Sequence, residues 1–294
     1  MARTHSLDRP RSRRFIWNAV PVIPLIIVHL ALFAIPFVAF TWWTVAASAM
    51  VLGIAGLGVT IGFHRYFAHR SFETSRAFQF LLGCAGCASL QKGLIWWTVH
   101  HRLHHRHADR EDDPHSPIVD GFWYSHIGWL FARDLTDYDR GIVNDLTKYR
   151  ELVWLDRLWM LPGVALAAAC YAWLGWAGVV YGYCATVAIA FQVTFAINSV
   201  GHLWGTRRFE TGEGSRNNWV LGLLAFGEGW HNNHHRVPYS ARQGFFAWYE
   251  LDVSYLVIRV LAALGLVWNV KEPPASVLAG VQNHGAEVEV ELTP

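Results

Sequence analysis

The sequence predicts an all-α integral membrane protein with four transmembrane helices in two hairpins and a helical cap on the cytoplasmic side. Its 294 residues are 53% hydrophobic and have a mean hydropathy of +0.21, which is typical of a membrane protein. Four segments approach the ~20 apolar residues that a helix needs to cross a bilayer. Three histidine clusters lie next to these segments. The net charge of only +2 gives no sign of nucleic-acid binding.

The first predicted span, residues 20–40, follows a basic N-terminal segment, residues 1–19. Five arginines are crowded into that segment: Arg3, Arg9, Arg11, Arg13 and Arg14. The apolar run is too long for the core of a signal peptide and lacks a clear small-residue cleavage site. We therefore expect a retained transmembrane helix whose N-terminus is cytoplasmic, by the positive-inside rule.

The other three spans follow from apolar length and charge. Residues 43–62 form the second span, after an uncharged turn. The apolar stretch that ends near residue 200 is too long for one helix, and Gly175 and Gly178 favour a hairpin of spans 158–176 and 178–200. Neither hairpin link carries Lys or Arg, whereas the segments outside the hairpins carry nearly all of them. This distribution predicts a multi-pass protein of the cell membrane with both termini cytoplasmic.

The segment between the first two histidine clusters, residues 77–97, is apolar but contains Gln79, Gln91 and Lys92. We predict one interfacial or re-entrant helix here, because a fifth span would separate the first cluster from the other two. The main domain is then residues 20–270, with a cap formed by residues 64–157 and 202–270. Residues 271–294 are an acidic, loosely ordered tail. The four cysteines lie in apolar segments and predict no disulfide framework.

The three clusters are the strongest chemical signal in the chain, and the predicted topology brings them to one membrane face. They contain eight histidines at regular spacings: His64, His69, His101, His104, His105, His231, His234 and His235. Eight imidazoles exceed the four ligands of one tetrahedral zinc, so their number suggests two metal ions. Nitrogen ligation without thiolate suits iron, copper, nickel or zinc.

The spacing within each cluster limits where the imidazoles can point. The second and third clusters place histidines at i, i+3 and i+4, which share one helix face and can reach one pocket. His64 and His69 are five residues apart, so they either serve different metals or need a local unwinding of the helix. At the end of the fourth span, His202 follows Asn198 at i+4. We expect His202 to be a ninth ligand, with Asn198 binding directly or through water.

Other polar residues near the clusters are expected to support the ligands rather than to bind metal. Four histidines without paired spacing flank the second cluster: His100, His107, His115 and His126. Glu228, three residues before His231, is a further hydrogen-bond partner for a ligand N–H. No Asp or Glu lies inside a cluster, which disfavours a hydrolytic metal pair with bridging carboxylates. An all-nitrogen iron pair instead favours O₂ activation and oxidation of a lipid alkyl chain.

Taken together, the three clusters and the Asn198-x-x-x-His202 motif closely resemble the membrane fatty acid desaturases of the Δ9 type. The resemblance covers about residues 56–269, and includes Asp113-Pro114-His115 and Gly227-Glu228-Gly229-Trp230. It implies a cis double bond introduced into a saturated acyl chain, with O₂ as co-substrate and two external electrons. Because no cytochrome b5-like or ferredoxin-like domain fits into either terminus, we expect the electrons to come from a separate ferredoxin or flavoprotein reductase. The resemblance also implies two Fe²⁺ ions in the cap, on nine histidines and a water-linked Asn198. The catalytic set would be His64, His69, His101, His104, His105, His202, His231, His234 and His235.

The resemblance further implies a kinked substrate channel beneath the metals. Leu52 and Gly56, twelve and eight residues before the first cluster, would close its tail end, and Trp97 would line it. Glycine at position 56 would leave room for a long chain.

Two departures from the family concern the acyl carrier. The acyl-CoA desaturases of animals have an Arg-Asp pair where this chain has Val99 and His100, and an Arg-Lys pair where it has Arg133 and Asp134. Losing two cations weakens the case for the CoA phosphates and leaves a glycerolipid or an acyl carrier protein as alternatives. Acyl-CoA is still slightly favoured, because four cations remain: Lys92, Arg102, Arg106 and Arg133.

Three other functions fit the sequence less well. A lipid or alkane hydroxylase would use the same metal set, and cluster spacing separates it from a desaturase only weakly. A non-catalytic metal- or haem-binding membrane protein would also contain such histidines. A metal transporter would need polar residues at mid-membrane, where only His29 is conspicuous.

Overall fold

The structure is a computed structural model that describes residues 22–131 and 139–278. The described part of the chain is mostly helical. The basic segment 1–19, the start of the first predicted span, Arg133, Asp134 and residues 279–294 lie outside the described residues.

The first apolar helix ends at Phe37, three residues before the predicted end of the span at residue 40. It consists of α1 (Ile23–Leu30), which continues as a 3₁₀ helix over Ala31–Phe37. Pro36 lies inside this last part and Val38 is extended. Because proline cannot donate a backbone hydrogen bond, the helix ends before residue 40. Phe33 and Phe37 are exposed, as expected for side chains that face lipid.

The second apolar helix is longer than predicted and reaches the first histidine cluster without a break. It begins with α2 (Trp42–Val51), where Thr41 and Thr44 form a capping box. It continues with π-helical winding over Leu52–Gly56 and Gly58–Ala68. The whole helix, Trp42–Ala68, has 27 residues and is apolar enough to cross a membrane.

The second long apolar segment, Met160–Leu203, contains a reversal of the chain. It comprises α9 (Met160–Ala177), a π-helical part (Gly178–Ala185) and α10 (Thr186–Leu203). Gly175 has φ 60° and ψ −147°, a conformation that is essentially restricted to glycine. After this point the chain packs back along α9, since a Cβ at Gly178 would lie 2.1 Å from the carbonyl oxygen of Cys170.

The prediction of a single helix over residues 77–97 was wrong, while its interfacial placement stays a prediction. Two helices occupy this region, α3 (Arg76–Cys87) and α4 (Leu94–His107). Between them, Leu90 and Lys92 have positive φ angles. The start of α4 is stabilised by Asp156, whose Oδ1 accepts hydrogen bonds from the N–H groups of Ile95 and Trp96. That cap comes from a residue 61 positions away, so local sequence could not reveal it.

The rest of the cap consists of short elements that follow the continuous helix Trp42–Ala68, here called the long helix. Strands β1 (Glu73–Thr74) and β2 (Val267–Trp268) pair antiparallel. The helices are α5 (Pro117–Asp120), α6 (Phe122–His126), α7 (Asn144–Thr147), α8 (Arg150–Arg157), α11 (Trp219–Leu224), α12 (His231–Arg236) and α13 (Val253–Ala263). Two further 3₁₀ turns span Gly128–Leu130 and Arg140–Val143.

Two apolar cores hold these elements together. The cap core includes Phe63 and Phe67 of the long helix with Leu94 and Val99 of α4. The second core joins α1 to α10, where Leu25 and Val28 pack with Phe191 and Phe195. Trp97 of α4 packs against both cores, four residues before His101.

Candidate metal centre

Nine histidines converge as two adjacent groups. The first group contains His64, His69, His101, His105 and His234. The second group contains His104, His202, His231 and His235. In each group the candidate ligand atoms all lie within 4.8 Å of one another. The groups touch, since the rings of His105 and His235 stack at a centroid distance of 4.4 Å.

The second and third clusters each divide between the two groups, so the prediction that the three imidazoles of a cluster reach one pocket was wrong. His101 and His105 enter the first group, whereas His104 enters the second. On an α-helix, positions i and i+4 lie about 40° apart, but i+3 and i+4 lie about 100° apart. A pair at i and i+4 therefore shares one centre, and the residue at i+3 faces the neighbouring one. In α12 the same geometry sends His234 to the first group.

Local unwinding, one of the two alternatives raised by the sequence, explains the first cluster. In an α-helix, His64 and His69 would lie about 140° apart. Here the backbone is π-helical, and the N–H of His69 donates to the carbonyl of His64 at 3.1 Å. This i→i+5 hydrogen bond brings both rings to the same face, with centroids 4.9 Å apart. Such π-helical segments are often found at functional sites.

Carboxylates from outside the clusters contact the Nδ1 atoms of four of these histidines. Glu228 contacts His64, and both carboxylate oxygens of Asp113 lie 3.0 Å from Nδ1 of His104. Asp109 lies 2.9 Å from Nδ1 of His202, and Glu213 lies 3.5 Å from Nδ1 of His235. Carboxylates in this position set the tautomer and orientation of a metal-binding imidazole.

Sequence reasoning found only one of these four carboxylates, Glu228. Asp109 and Asp113 follow the second cluster closely in an acidic turn, and that proximity was the available signal. Glu213 is far from any cluster in sequence and left no local signal.

The Nε2 atoms point inward and approach one another closely. In the first group, Nε2 of His234 lies 3.0 Å from Nε2 of His64 and 2.9 Å from Nε2 of His105, distances typical of a hydrogen bond. In the second group, Nε2 of His231 lies 3.0 Å from that of His202 and 3.1 Å from that of His235. If Nδ1 carries the proton toward a carboxylate, each Nε2 offers a lone pair. Lone pairs that face each other repel, and a cation between them removes the repulsion, so the residues fit a metal ion in each group.

The pKa shifts of most of the clustered histidines agree with this donor set; in His104, burial lowers the pKa but the facing Asp113 outweighs it and raises the pKa overall. Burial, together with the neighbouring imidazoles, lowers the pKa of six of the histidines well below the usual value: His69, His101, His105, His231, His234 and His235. Neutral imidazole is the form that binds metal. Burial raises the pKa of Glu228, but the facing His64 and Arg65 outweigh it and lower the pKa overall. The carboxylate therefore stays ionised beside His64.

A buried arginine supports this arrangement. Arg65 is fully buried and donates to Glu228 from Nε and Nη2 at 3.2 and 3.1 Å. Its Nη1 lies 2.9 Å from Asp252, which is also fully buried. Because a buried charge without a partner is costly, the ion pairs hold Glu228 in place behind His64.

The flanking histidines have different roles. The ring of His115 stacks on that of His104 at 4.6 Å, so His115 does contact a clustered histidine. His100 bonds through Nδ1 to the carbonyl of Trp96, and His126 bonds to Ser199. His107 lies outside both groups.

A cavity of about 1030 Å³, its open mouth included, runs from the histidines toward the apolar helices. The three residues expected to line the channel, Leu52, Gly56 and Trp97, all line it, as does Asn198. The clustered histidines on its wall are His64, His101, His104 and His231. Glycine at position 56 was expected to leave room for a long acyl chain, but the ring of Phe226 occupies that space. A Cβ at Gly56 would lie 2.8 Å from Cε2 of Phe226.

A second cavity lies beside α1 and shares several wall residues with the first. It is lined by Lys92, Trp96 and Trp129. The shared residues are Gln91, Trp97, His101, Thr194 and Asn198. Gln91 donates to the hydroxyl of Thr194 at 3.0 Å at this junction. The two cavities therefore meet beside the first histidine group.

One of the cations suggested for a carrier phosphate has another role. Arg102 makes two hydrogen bonds of 2.9 Å to Asp145 and also donates to three backbone carbonyls. It ties α4 to its neighbours and is not available to a ligand. Lys92 lines the second cavity, where burial lowers its pKa to about 8.

Comparison with known proteins agrees with this site. The family described as fatty acid desaturase matches residues 40–253. The chain is 41% identical over 266 residues to the icosanoyl-CoA 5-desaturase of Limnanthes douglasii, covering 87% of this chain and 74% of the relative. It is 37% identical over 243 residues to the sn-1 stearoyl-lipid 9-desaturase of Anabaena variabilis, covering 82% and 89%. It is also 37% identical over 264 residues to the chloroplastic palmitoyl-monogalactosyldiacylglycerol delta-7 desaturase of Arabidopsis thaliana, covering 87% and 70%. With these matches and the convergent histidines of its cap, the chain belongs to the fatty acid desaturase family.

Proposed function

We propose that this protein introduces a cis double bond at the Δ9 position of a saturated long-chain acyl group, at a di-iron centre. One observation carries the proposal: inward-facing imidazoles of both groups form part of the wall of a largely apolar cavity. Two Fe²⁺ ions would be held by the nine histidines of the two groups, with Asn198 linked through water. Bound iron would supply the O₂-dependent oxidising power that an unactivated C–H bond requires.

The chain's own residues would position the substrate and the ligands. Apolar walls exclude water from the acyl chain, and the four carboxylates orient the imidazoles. Trp97 stacks on His101 with a centroid distance of 4.9 Å, where the two cavities meet. A substrate that bends at this junction would present a fixed pair of carbons to the histidine groups.

The double-bond position and the carrier rest on similarity and are part of the proposal. The named relatives include 5-, 7- and 9-desaturases that act on acyl-CoA or acyl-lipid substrates. We propose acyl-CoA as the carrier and acyl-lipid as the alternative. Electrons would come from a separate ferredoxin or flavoprotein reductase.

The membrane arrangement is likewise a proposal. We infer four spans in the cell membrane, with both termini and the cap on the cytoplasmic side. The lipid bilayer would then be both the environment of the helices and the source of the substrate. The domain of residues 20–270 would hold the whole site, flanked by the basic segment 1–19 and the tail 271–294.

Expression in a desaturase-deficient host tests the reaction and the position together. Fatty acid profiling of the host should reveal monounsaturated acids with a cis double bond at Δ9. Supplying acyl-CoA or acyl-lipid to isolated membranes with a reductase system then identifies the carrier. Hydroxylated product without alkene would overturn desaturation in favour of a hydroxylase. Purified active protein should contain two irons per chain, and a much lower content would overturn the di-iron assignment.

A further inference from the structure

We propose that Phe226 forms the wall against which the methyl end of the acyl chain stops, and so limits the chain length that the cavity accepts. The inference rests on the proposed desaturase function. It concerns a residue of the loop that precedes the third histidine cluster, not a residue of the histidine groups. Phe226 lines the same cavity as Leu52, Gly56 and the histidines.

The ring of Phe226 lies against the long helix at Gly56. A Cβ at Gly56 would lie only 2.8 Å from Cε2 of Phe226 and 3.3 Å from Cδ1 of Leu52. The aromatic edge therefore fills the space that any other residue at position 56 would need.

The backbone at Phe226 is strained and is held in place by its neighbours. Its φ is 55°, a left-handed conformation that bulky residues rarely adopt. Its carbonyl accepts a hydrogen bond from the N–H of Ser254 at 3.0 Å. The hydroxyl of Ser254 is 2.7 Å from that of Thr60, a buried contact that ties this loop to the long helix. A fixed loop on one side and a helix on the other make the ring a rigid wall.

The distance from this wall to the first histidine group is also fixed. Gly56 and His64 belong to one helix and are eight residues apart, which is at most about 12 Å along an α-helical axis. Glu228 follows Phe226 by two residues and contacts Nδ1 of His64, so the loop that carries Phe226 is also joined to the first histidine group. The cavity segment between the wall and the histidines thus has a set length.

The experiment compares the chain lengths that wild type and Phe226→Ala desaturate, using a ladder of saturated acyl substrates that differ by two carbons. Phe226→Leu keeps apolar bulk, and Phe226→Gly removes the ring while relieving the backbone strain. Phe245→Ala is the matched control, since Phe245 also has a left-handed backbone, with φ 56°, but does not line either described cavity.

Removing the ring should shift the preference toward longer chains, with the ratio of longer to shorter product rising about tenfold in Phe226→Ala and Phe226→Gly. The double bond should stay at the same distance from the carboxyl end, because the wall is at the other end. Phe245→Ala should keep the wild-type profile. An unchanged profile in folded, iron-loaded Phe226→Ala and Phe226→Gly would overturn the proposal.

A second variant tests the contact itself. Gly56→Ala should shorten the preferred chain by pushing the ring into the cavity, and its effect should be largely lost in the Phe226→Ala background. Equal effects in both backgrounds would overturn the contact.

Thermal stabilisation of each purified protein by saturated fatty acids gives a readout independent of catalysis. The longest acid that stabilises should be longer for Phe226→Ala than for wild type, and the same limit for both would count against the wall. If the wild-type protein forms no alkene, the proposed desaturase function is refuted. The longest saturated acid that stabilises each protein would still decide whether Phe226 limits the chain length.

Discussion

At the scale of single residues, each clustered histidine uses its two nitrogens differently. Nδ1 contacts a carboxylate in four cases, while Nε2 points toward the centre of a group. Histidine suits this arrangement because only one of its nitrogens carries a proton in the neutral ring. We therefore expect loss of a ring and loss of its carboxylate to have different consequences.

Replacing His104 by alanine should abolish alkene formation and lower the iron content, because the second group has only four imidazoles. The protein should still insert into membranes. His107→Ala is the control, since His107 is in the same helix but outside both groups. Product analysis, iron content and membrane abundance are measured together. Wild-type product yield from His104→Ala would contradict the assignment.

Replacing Asp113 by asparagine should weaken iron retention and activity by about 10–100-fold while leaving the ligands present. The asparagine keeps the size of the side chain but removes the charge that faces Nδ1 of His104. Iron remaining after exposure to a chelator is the measurement, alongside the desaturation rate. Asp112→Asn, at an exposed neighbouring position, should behave as wild type. Equal iron retention in both variants would refute a role for the carboxylate.

At the scale of elements, the π-helical part of the long helix explains how the first cluster reaches one metal group. This part also packs unusually close to α3. A Cβ at Gly58 would lie 2.2 Å from the carbonyl carbon of Ala85, and one at Gly62 would lie 2.8 Å from the carbonyl oxygen of Leu82. Because these neighbours are backbone atoms, they cannot move aside as a flexible side chain would.

Gly58→Ala should therefore force the two helices apart, destabilise the protein by about 1–3 kcal/mol and displace His64 and His69. Thermal unfolding in detergent and desaturation activity are the measurements, and both should fall. Gly53→Ala is a matched control on the same helix, since nothing lies within 4 Å of its added Cβ. If the two variants unfold at the same temperature, the close packing at Gly58 is not important.

The region between the first two histidine clusters shows where the local sequence was insufficient to predict the number of helices. The apolar pattern of residues 77–97 predicts one helix, yet the chain forms α3 and α4 with a break between them. Asp156 of α8 caps the first turn of α4 and so stabilises its start after the break. A cap supplied by a distant element leaves no trace in the periodicity of the helix that it starts.

At the scale of the whole molecule, the chain brings together histidines from the long helix, α4, the end of α10 and α12. The residues span His64 to His235, so no single element could form either group. The predicted topology, with all three clusters on the cytoplasmic side, would make this convergence possible.

Cysteine labelling tests that topology. In a background without the four native cysteines, Trp176→Cys beside the reversal should react with a membrane-impermeant reagent added outside intact cells. Asp112→Cys in the cap should react only after the membrane is opened, because we predict a cytoplasmic cap. Labelling of both positions from the same side would contradict the four-span arrangement.

The sequence by itself determined which nine histidines converge, the apolar segments and, through its motifs, the family, whereas the role of Asn198 stays a prediction. These features depend on residue identity and local spacing, which are readable without a structure. Tertiary structure alone decided which histidines share a group, which carboxylates face them and that Phe226 occupies the space beside Gly56. The physical reason is that these properties depend on backbone winding and on contacts between distant segments. The i→i+5 hydrogen bond from His69 to His64, for example, arises in a helix that packs tightly on α3.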